Sequence, residues 1–146
     1  MAITPTQASL GHNDEFWFHN GTALTELVEV KAIGFPEPET DEIDATHLKS
    51  EGIETIPGTT DFGEFTVTMN YVAGSATDVL CEAARMAKDT RDWKIGVTDR
   101  TGTVVREYTG KGWVKRYRPD DIETNALKTA TLVIRVTGAV TAVDAP

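Results

Sequence analysis

Cysteine is nearly absent from this sequence, and long apolar runs are missing. Cys81 is the only cysteine among 146 residues, so no disulfide can form within the chain. It lies in a stretch with helical periodicity, where a small core side chain is the expected role of a thiol. The longest uncharged run in the middle of the chain, Phe65 to Thr77, has thirteen residues and is too short to span a bilayer.

Basic residues are also scarce, especially near the start of the chain. The first basic side chain is Lys31, so the positive region of a signal peptide is missing and we expect a soluble protein that does not use Sec-type export or a membrane. A net charge of −9 and a pI near 4.7 argue against a general nucleic-acid-binding protein, which needs a dominant basic surface. The length fits one domain that buries about two-thirds of its unfolded surface.

Motifs that carry chemistry are missing too. The histidines His12, His19 and His47 occur without HExxH or CxxC spacing. The cluster 41–44 lacks the mid-loop glycine and closing glutamate of an EF-hand, and Thr109-Gly110-Lys111 lacks the first glycine of a phosphate loop. No Gly-x-Ser-x-Gly nucleophile elbow occurs. We therefore predict no catalytic, cofactor or metal site, and a protein that is not an enzyme.

Alternating apolar and polar residues, typical of β-strands, dominate what is present. Asn20-Gly21 separates two apolar runs and predicts a hairpin with a type I′ turn, whose second strand is a long run from Thr22 to Ile33. The strand from Glu64 to Val72 has the clearest two-faced pattern in the chain. Its apolar face carries Phe65, Val67, Met69 and Tyr71, and its polar face carries Glu64, Thr66, Thr68 and Asn70.

One helix and three more strands complete the prediction. Ser75 is placed to cap a helix that runs to about Asp89, with Val79, Leu80, Ala83, Met86 and Ala87 as its apolar stripe. Alternation then predicts strands around residues 93–97, 104–117 and 131–138, with Gly110-Lys111-Gly112 as a bulge or barrel corner. The expected fold is mainly β: a β-sandwich or small barrel of about six to eight strands, with one α-helix packed against it.

A long acidic segment, residues 34–62, interrupts this pattern. Pro36 and Pro38 cannot continue a central strand, and the periodicity beyond them is weak. A loop of this length within a compact domain is usually functional or becomes ordered on binding.

Charge is divided very unevenly along the chain. Residues 34–64 contain nine acidic residues and one lysine, so 1 − 9 gives −8, whereas residues 93–118 contain seven basic and two acidic residues, so 7 − 2 gives +5. One molecule therefore carries both halves of a complementary contact, unless the two patches neutralise each other within the monomer. The predicted acidic contact residues are Glu37, Glu39, Asp41, Glu42, Asp44, Glu51 and Glu54. The predicted basic counterparts are Arg100, Lys111, Lys115, Arg116 and Arg118.

The second half of the chain carries an ordered series of short motifs. Tyr108-Thr109-Gly110 is followed by Trp113-Val114-Lys115-Arg116-Tyr117, a turn at Pro119-Asp120-Asp121 and a closing strand from Ala130 to Gly138. This series resembles the end of the major tail tube proteins of long-tailed bacteriophages, a family related to secretion tubes. The order of elements in the first half, with two strands, a long loop, a two-faced strand and one helix, is similar to that family as well.

The resemblance implies a structural protein that assembles into hexameric rings stacked head to tail as a hollow tube for DNA delivery. It implies that residues 34–62 form the loop that contacts a neighbouring ring, and that Glu64, Thr66, Thr68 and Asn70 face the lumen. The implied partners are other copies of the chain, the tape-measure protein, the tail terminator and distal tail proteins, and DNA as transient cargo. The implied location is the virion tail, after assembly in the host cytoplasm.

Two other functions are compatible with the sequence. One is the ring protein of a secretion tube, which shares this architecture. The other is a carbohydrate-binding β-sandwich that stacks sugars on Trp93, Trp113 and Tyr117, of which the last two are four residues apart and would share a strand face.

Overall fold

The computed structural model describes residue 6 and residues 8–144, and it is mainly β, as predicted. Seven strands form one curled sheet in the order β2-β1-β7-β8-β9-β6-β3, and β4 and β5 form a separate two-stranded sheet. The elements are β1 (Glu15–His19), β2 (Leu24–Glu26), β3 (Val30–Ile33), β4 (Glu39–Asp44), β5 (Thr55–Asp61), β6 (Glu64–Asn70), α1 (Ala76–Ala87), β7 (Arg91–Thr98), β8 (Val104–Pro119) and β9 (Thr129–Asp144).

The two edges of the main sheet are joined by a very short link. β2 lies at one edge and β3 at the other, although only residues 27–29 separate them. Because each residue spans at most about 3.6 Å, the two edges lie within roughly 15 Å of each other and the sheet is forced to curl. The Leu27 amide donates to the Phe16 carbonyl (2.9 Å), and the Asn70 amide donates to the Glu29 carbonyl (2.8 Å).

The prediction of a single strand from Thr22 to Ile33 is therefore wrong, because the segment forms two separate strands, β2 and β3. Leu27 turns into the core and is 4% exposed, and Glu29 adopts a positive φ of 65°. The Val28 amide donates to the Thr77 hydroxyl on the helix (3.1 Å), which holds the crossing in place. The hairpin before it is confirmed, but the predicted type I′ turn is wrong, because Gly21 has a positive φ and Asn20 does not. The loop has four residues, since His19 pairs with Leu24, and the Asn20 side chain accepts from the Thr22 and Ala23 amides.

The core lies on the inner face of the curled sheet. Phe65, Val67 and Met69 are buried, so the predicted two-faced strand is confirmed. Phe65 packs edge-on against Phe16, with ring centroids 5.9 Å apart, and lies 4.8 Å from the ring of Trp93. This aromatic cluster joins β6 to the paired strands β1 and β7, although β8 and β9 lie between them in the sheet order.

The helix is confirmed and is capped at both ends. The Ser75 hydroxyl accepts from the Asp78 amide (3.2 Å), and Lys88 takes a left-handed conformation while its amide donates to Ala84. α1 packs against β8, where the Tyr117 hydroxyl donates to the Asp78 carboxylate (2.8 Å). Burial and this hydrogen bond both raise the pKa of Tyr117.

The buried stripe of α1 differs from the predicted one. Val79 and Met86 are 59% and 71% exposed, so Met86 is not a core residue. The buried helical residues are Thr77, Leu80, Cys81 and Ala84. Small side chains let the helix approach the sheet closely, so Cys81 is fully buried, as predicted, and burial raises the pKa of its thiol to about 12.

Strands β8 and β9 form the centre of the sheet. The predicted irregularity at Gly110 is confirmed as a shift of register between Thr109 and Lys111, and a second shift follows between Val114 and Arg116. β9 continues past Gly138, where the prediction ended, because Gly138 adopts a φ of 81° and lets the strand bend and resume pairing with β8.

Residues 34–62 contain a β-hairpin, β4–β5, rather than the loop that the weak periodicity predicted.

The single helix within the described residues has twelve residues. It is not long and apolar enough to cross a membrane.

Candidate functional site

The acidic segment, residues 34–62, forms an exposed arm at one end of the sheet. Every residue of β4 is exposed, and of β5 only Gly58 is partly buried. The arm begins at Gly34, where a Cβ atom would lie 2.9 Å from the Thr66 carbonyl oxygen, so the chain leaves the sheet in close contact with β6. All seven acidic residues predicted as contacts are exposed: Glu37, Glu39, Asp41, Glu42, Asp44, Glu51 and Glu54.

Few of the acidic side chains on this arm have a cationic partner in their own chain. Asp61 pairs with Arg135 (3.1 Å), and Glu54 lies 3.0 Å from the His47 ring. The hydrogen bond from the Gly63 amide, followed by the Arg135 guanidinium, lowers the pKa of Asp61. Among the ion pairs of the described residues, none involves the other six: Glu37, Glu39, Asp41, Glu42, Asp44 and Glu51. The arm therefore presents uncompensated negative charge.

The arm also exposes apolar side chains that the sequence analysis did not single out. Ile43 and Ile56 lie opposite each other in the β4–β5 pair and are 47% and 51% exposed. Towards the tip, Leu48 is 103% and Ile53 is 86% exposed. A signal was present, since Ile43 and Ile56 each lie six residues from Lys49-Ser50, on opposite sides, but the register shift between Thr40 and Glu42 weakens the alternation.

Four of the five predicted basic residues lie on β8. Lys111, Lys115, Arg116 and Arg118 are all exposed on this strand. Arg100 lies apart, in the turn between β7 and β8, and its guanidinium donates to the Thr6 carbonyl (2.8 Å). The register shift after Val114 lets both Lys115 and Arg116 face outward, which strict alternation would forbid.

Three of these cations already have a carboxylate in the same chain. Lys111 lies 3.1 Å from Asp92, and Arg118 lies 3.2 Å from Asp121. Lys115 lies 2.7 Å from Glu64 and is the main cause of the lowered pKa of Glu64. Exposed pairs of this kind contribute about 0–1 kcal/mol and exchange partners readily. Glu64–Lys115 is the one pair among the described residues that joins the acidic and basic patches, so the patches do not neutralise each other in the monomer.

The polar face of β6 and the basic residues of β8 belong to one surface of the sheet. Glu64 pairs with Arg135 on β9, and Arg135 pairs with Trp113 on β8, so the three form one row on the face opposite the core. Glu64 and Thr66 are exposed, whereas Thr68 and Asn70 are half-buried. The sequence does not indicate where Lys115 and Arg116 point, and the structure places both on the same side of the sheet as the polar face of β6.

The predicted aromatic platform for sugars is absent from the described residues. Trp93 and Tyr117 are 1% and 5% exposed, and only Trp113, at 39%, reaches solvent. The register shift between Val114 and Arg116 puts Trp113 and Tyr117 on opposite faces, so the prediction that they share a face is wrong.

The histidines near the start of the chain do not form a cluster with metal-binding geometry. The Asp14 carboxylate accepts from the Thr98 amide (2.7 Å) and the Thr98 hydroxyl (3.0 Å), so it anchors the segment before β1. Within residues 6 and 8–144, no group of three or more His, Cys, Asp or Glu side chains is arranged to hold a metal ion.

Comparison with solved structures shows the same fold in subunits of tubular assemblies. The chain is similar to the tube-terminating cap of the anti-feeding prophage, with a TM-score of 0.75, 14% identity and coverage of 99% of this chain and 97% of that one. It is similar to the tail of the empty gene transfer agent particle, with a TM-score of 0.71, 12% identity and coverage of 92% and 98%. For the SPP1 tail tube the TM-score is 0.68, the identity 12% and the coverage 94% and 80%.

Sequence comparison identifies the family. No curated protein matches the sequence. The family model of the lambda phage tail tube protein matches residues 16–142, which extend from β1 almost to the end of β9. The match covers most of the chain, and the chain belongs to the lambda phage tail tube protein family.

Proposed function

We propose that this chain is the repeating subunit of the tail tube of a phage or phage-derived particle. Copies form hexameric rings that stack head to tail into a hollow conduit for DNA. The observation that carries this proposal is the family match over residues 16–142, supported by a fold shared with tube proteins over nearly the whole chain. The role is structural, and the chain performs no catalysis.

The uneven charge supports a head-to-tail contact between copies. The acidic segment carries eight acidic residues and one lysine, so 1 − 8 gives −7. The outer face of β8 carries Lys111, Lys115, Arg116 and Arg118. Two different and complementary patches on one chain fit a heterologous interface, which closes into a ring or extends into a filament. Opposite charge also steers the approach of the copies and fixes their register.

An open strand edge supports assembly as well. β6 pairs with residues 129–135 of β9, and the remainder of that edge, residues 137–144, has no strand partner within the described residues. An open edge of this length is an aggregation hazard unless it is paired or covered. Ring closure between neighbouring copies protects it.

The polar face of β6 is the candidate lumen surface of the tube. Its residues are Glu64, Thr66, Thr68 and Asn70. However, Lys115, Arg116, Arg118 and Arg135 lie on the same side of the sheet, and a lumen with this excess of positive charge would attract phosphates and slow the passage of DNA. Contact with a neighbouring subunit must therefore cover the basic part of this surface.

The remaining partners follow from this role. A tube of this kind is closed by a terminator and a distal tail protein, encloses a tape-measure protein during assembly in the host cytoplasm, and conducts DNA only transiently. A second candidate function is the tube of a contractile injection or secretion system, which the similarity to the anti-feeding prophage cap favours. The neighbouring genes distinguish the two, since secretion components would replace the tape-measure gene.

Negative-stain electron microscopy of concentrated purified protein tests the proposal. We expect rings or tubes with sixfold symmetry, alone or after addition of the tail partners. A chain that stays monomeric at every concentration and ionic strength, with and without those partners, would refute it.

A further inference from the structure

A groove with basic and aromatic walls lies between the end of α1 and the second half of β8. β7 pairs with β8 only as far as Gly112, so the edge of β8 from Trp113 onward has no strand neighbour on that side among the described residues. The C-terminal end of α1 lies beside this edge and leaves an open groove of about 510 Å³. We call it the basic groove; it is lined by Arg85, Lys88, Trp113, Val114, Lys115, Arg116 and Tyr117.

The basic groove carries a net positive charge. Four cations line it, two from the helix end and two from β8. Arg85 pairs with Glu82 (2.8 Å) and Lys115 with Glu64 (2.7 Å), so 4 − 2 gives +2. Lys88 and Arg116 take part in none of the ion pairs of the described residues.

The electrostatics of the helix account for only part of this cluster. Cations in the last turn of a helix stabilise its negative end, which explains Arg85 and Lys88. Stabilisation of the helix end does not explain why β8 turns both Lys115 and Arg116 outward through a register shift, nor why Trp113 is 39% exposed beside them. Exposed tryptophan and arginine together are typical of the centres of protein–protein interfaces.

We propose that the basic groove receives the acidic segment of a second copy of this chain, an inference that rests on the proposed function. The segment carries −7, and six of its acidic side chains have no ion pair in their own chain within the described residues. Its composition fits the groove beyond charge alone. A Cβ atom at Gly58 would lie 3.0 Å from the Ile43 Cδ1 and 3.2 Å from the Asp41 Cβ, so the side chains of an isoleucine and an aspartate leave the arm on one face. Apolar and charged groups are likewise adjacent in the groove, where Trp113 lies beside the cations.

A second copy is required because the arm does not reach the groove of its own chain. β4 and β5 pack mainly on each other, and neither packs extensively against α1 or β8 within the described residues. No ion pair joins the arm to Arg85, Lys88, Lys115 or Arg116 within the described residues. The groove and the arm are thus the two halves of a heterologous contact.

Exchange of charge between the two surfaces tests this proposal. We expect Lys88→Glu with Arg116→Glu to abolish tubes, because 2 − 4 then gives the groove −2. Replacement of Glu37, Glu39, Asp41 and Glu42 by lysine should abolish them as well, because 5 − 4 then gives the segment +1. A chain that carries all six changes should form tubes again, because a positive segment then meets a negative groove. Lys31→Glu with Lys128→Glu makes the same change of charge as the groove variant, at two exposed lysines outside the groove. It is the matched control and should leave tubes unchanged. Circular dichroism checks that each variant folds.

Cross-linking gives a second measurement that does not depend on complete tubes. We expect a mixture of the Lys88→Cys and Asp41→Cys chains to form a disulfide-linked dimer under oxidising conditions, whereas Lys128→Cys with Asp41→Cys should not. The native Cys81 is fully buried and does not interfere. If wild-type tubes form but the groove variants also form them and no dimer is trapped, this inference is wrong and the proposed function stands. If the wild type forms no tubes with any partner, both are wrong.

Discussion

Gly112 marks the point where β8 passes from its pairing with β7 to its open half, and its replacement by alanine gives a sharp test of the packing. Gly112 pairs with Arg91 on one side and Val136 on the other. A Cβ atom there would lie 2.7 Å from the Arg135 carbonyl oxygen and 2.8 Å from the Ile134 methyl group. Real Cβ contacts are essentially never this short, and one of the two atoms belongs to the backbone of the central strand, so relief requires a shift of β9.

The expected cost of Gly112→Ala follows from this geometry. Overpacking a well-packed core costs about 1–3 kcal/mol. Gly52→Ala is the matched control, because a Cβ at Gly52 meets no atom within 4 Å and neither glycine has a positive φ. Both changes restrict the unfolded chain alike, by roughly 0.4–1 kcal/mol, so the difference between the two variants isolates the steric cost.

Urea and thermal unfolding measure that difference. We expect Gly112→Ala to be less stable than Gly52→Ala by about 1–3 kcal/mol. For a domain of this size, each kcal/mol lowers Tm by about 3 °C, so Tm should differ by roughly 3–9 °C. If the two variants unfold within about 0.5 kcal/mol of each other, the neighbourhood of Gly112 yields easily and the close approach of β8 to β9 does not matter for stability.

Three further predictions concern the arm, the buried thiol and the acidic side chains. Replacing Glu37, Glu39, Asp41 and Glu42 by lysine should block ring stacking yet leave the fold intact, because these side chains are exposed. If micrographs of this variant still show tubes, the uneven charge serves solubility and not stacking. Cys81 should not react with a thiol reagent at pH 8 until the chain unfolds, since burial raises its pKa to about 12; rapid labelling of the native protein would contradict this. The pKa values of Asp61, Glu64, Asp99 and Asp120 are lowered from ordinary values of 3.8 or 4.5, so their stabilisation is present above those values and is lost as the pH falls through the folded pKa values. Tm should therefore hold from pH 7 to about 5 and fall below about pH 4, and a Tm that rises in that acidic range would exclude this origin.

The sequence was most informative where one periodicity ran without interruption. β6 alternates strictly, and the helix has a capping serine before its apolar stripe, so both were predicted within two or three residues of their observed ends. The short resemblance motifs in the second half lie on β8 and β9, the two central strands, and they led to the correct family.

The errors arose where a local pattern conflicts with long-range pairing. The run from Thr22 to Ile33 alternates well, yet Leu27 turns inward because the chain must cross from one edge of the sheet to the other. The register shift after Val114 reverses the face of Tyr117 relative to Trp113, which spacing alone could not indicate.

The candidate contact residues were predicted in part. Exposure of the acidic residues follows from their charge, but which cations share a surface depends on sheet order and on two register shifts. Arg100 and Lys115 belong to the same predicted basic group, whereas in the fold Arg100 lies in the β7–β8 turn and Lys115 lies beside Glu64. Lys88 and Arg85 were not singled out because a helix end shows no sign of the strand beside it.

The order of strands in the main sheet has a consequence for synthesis on the ribosome. β1 pairs with β7, which is synthesised some seventy residues later, and β6 pairs with β9, which is later still. At about 5–20 residues per second, the first strands wait several seconds for their partners. Until β9 emerges, the sheet lacks the strand that joins its two halves, so the nascent chain cannot present a finished surface to other subunits. The sheet order therefore disfavours assembly of chains in which β9 has not yet been synthesised.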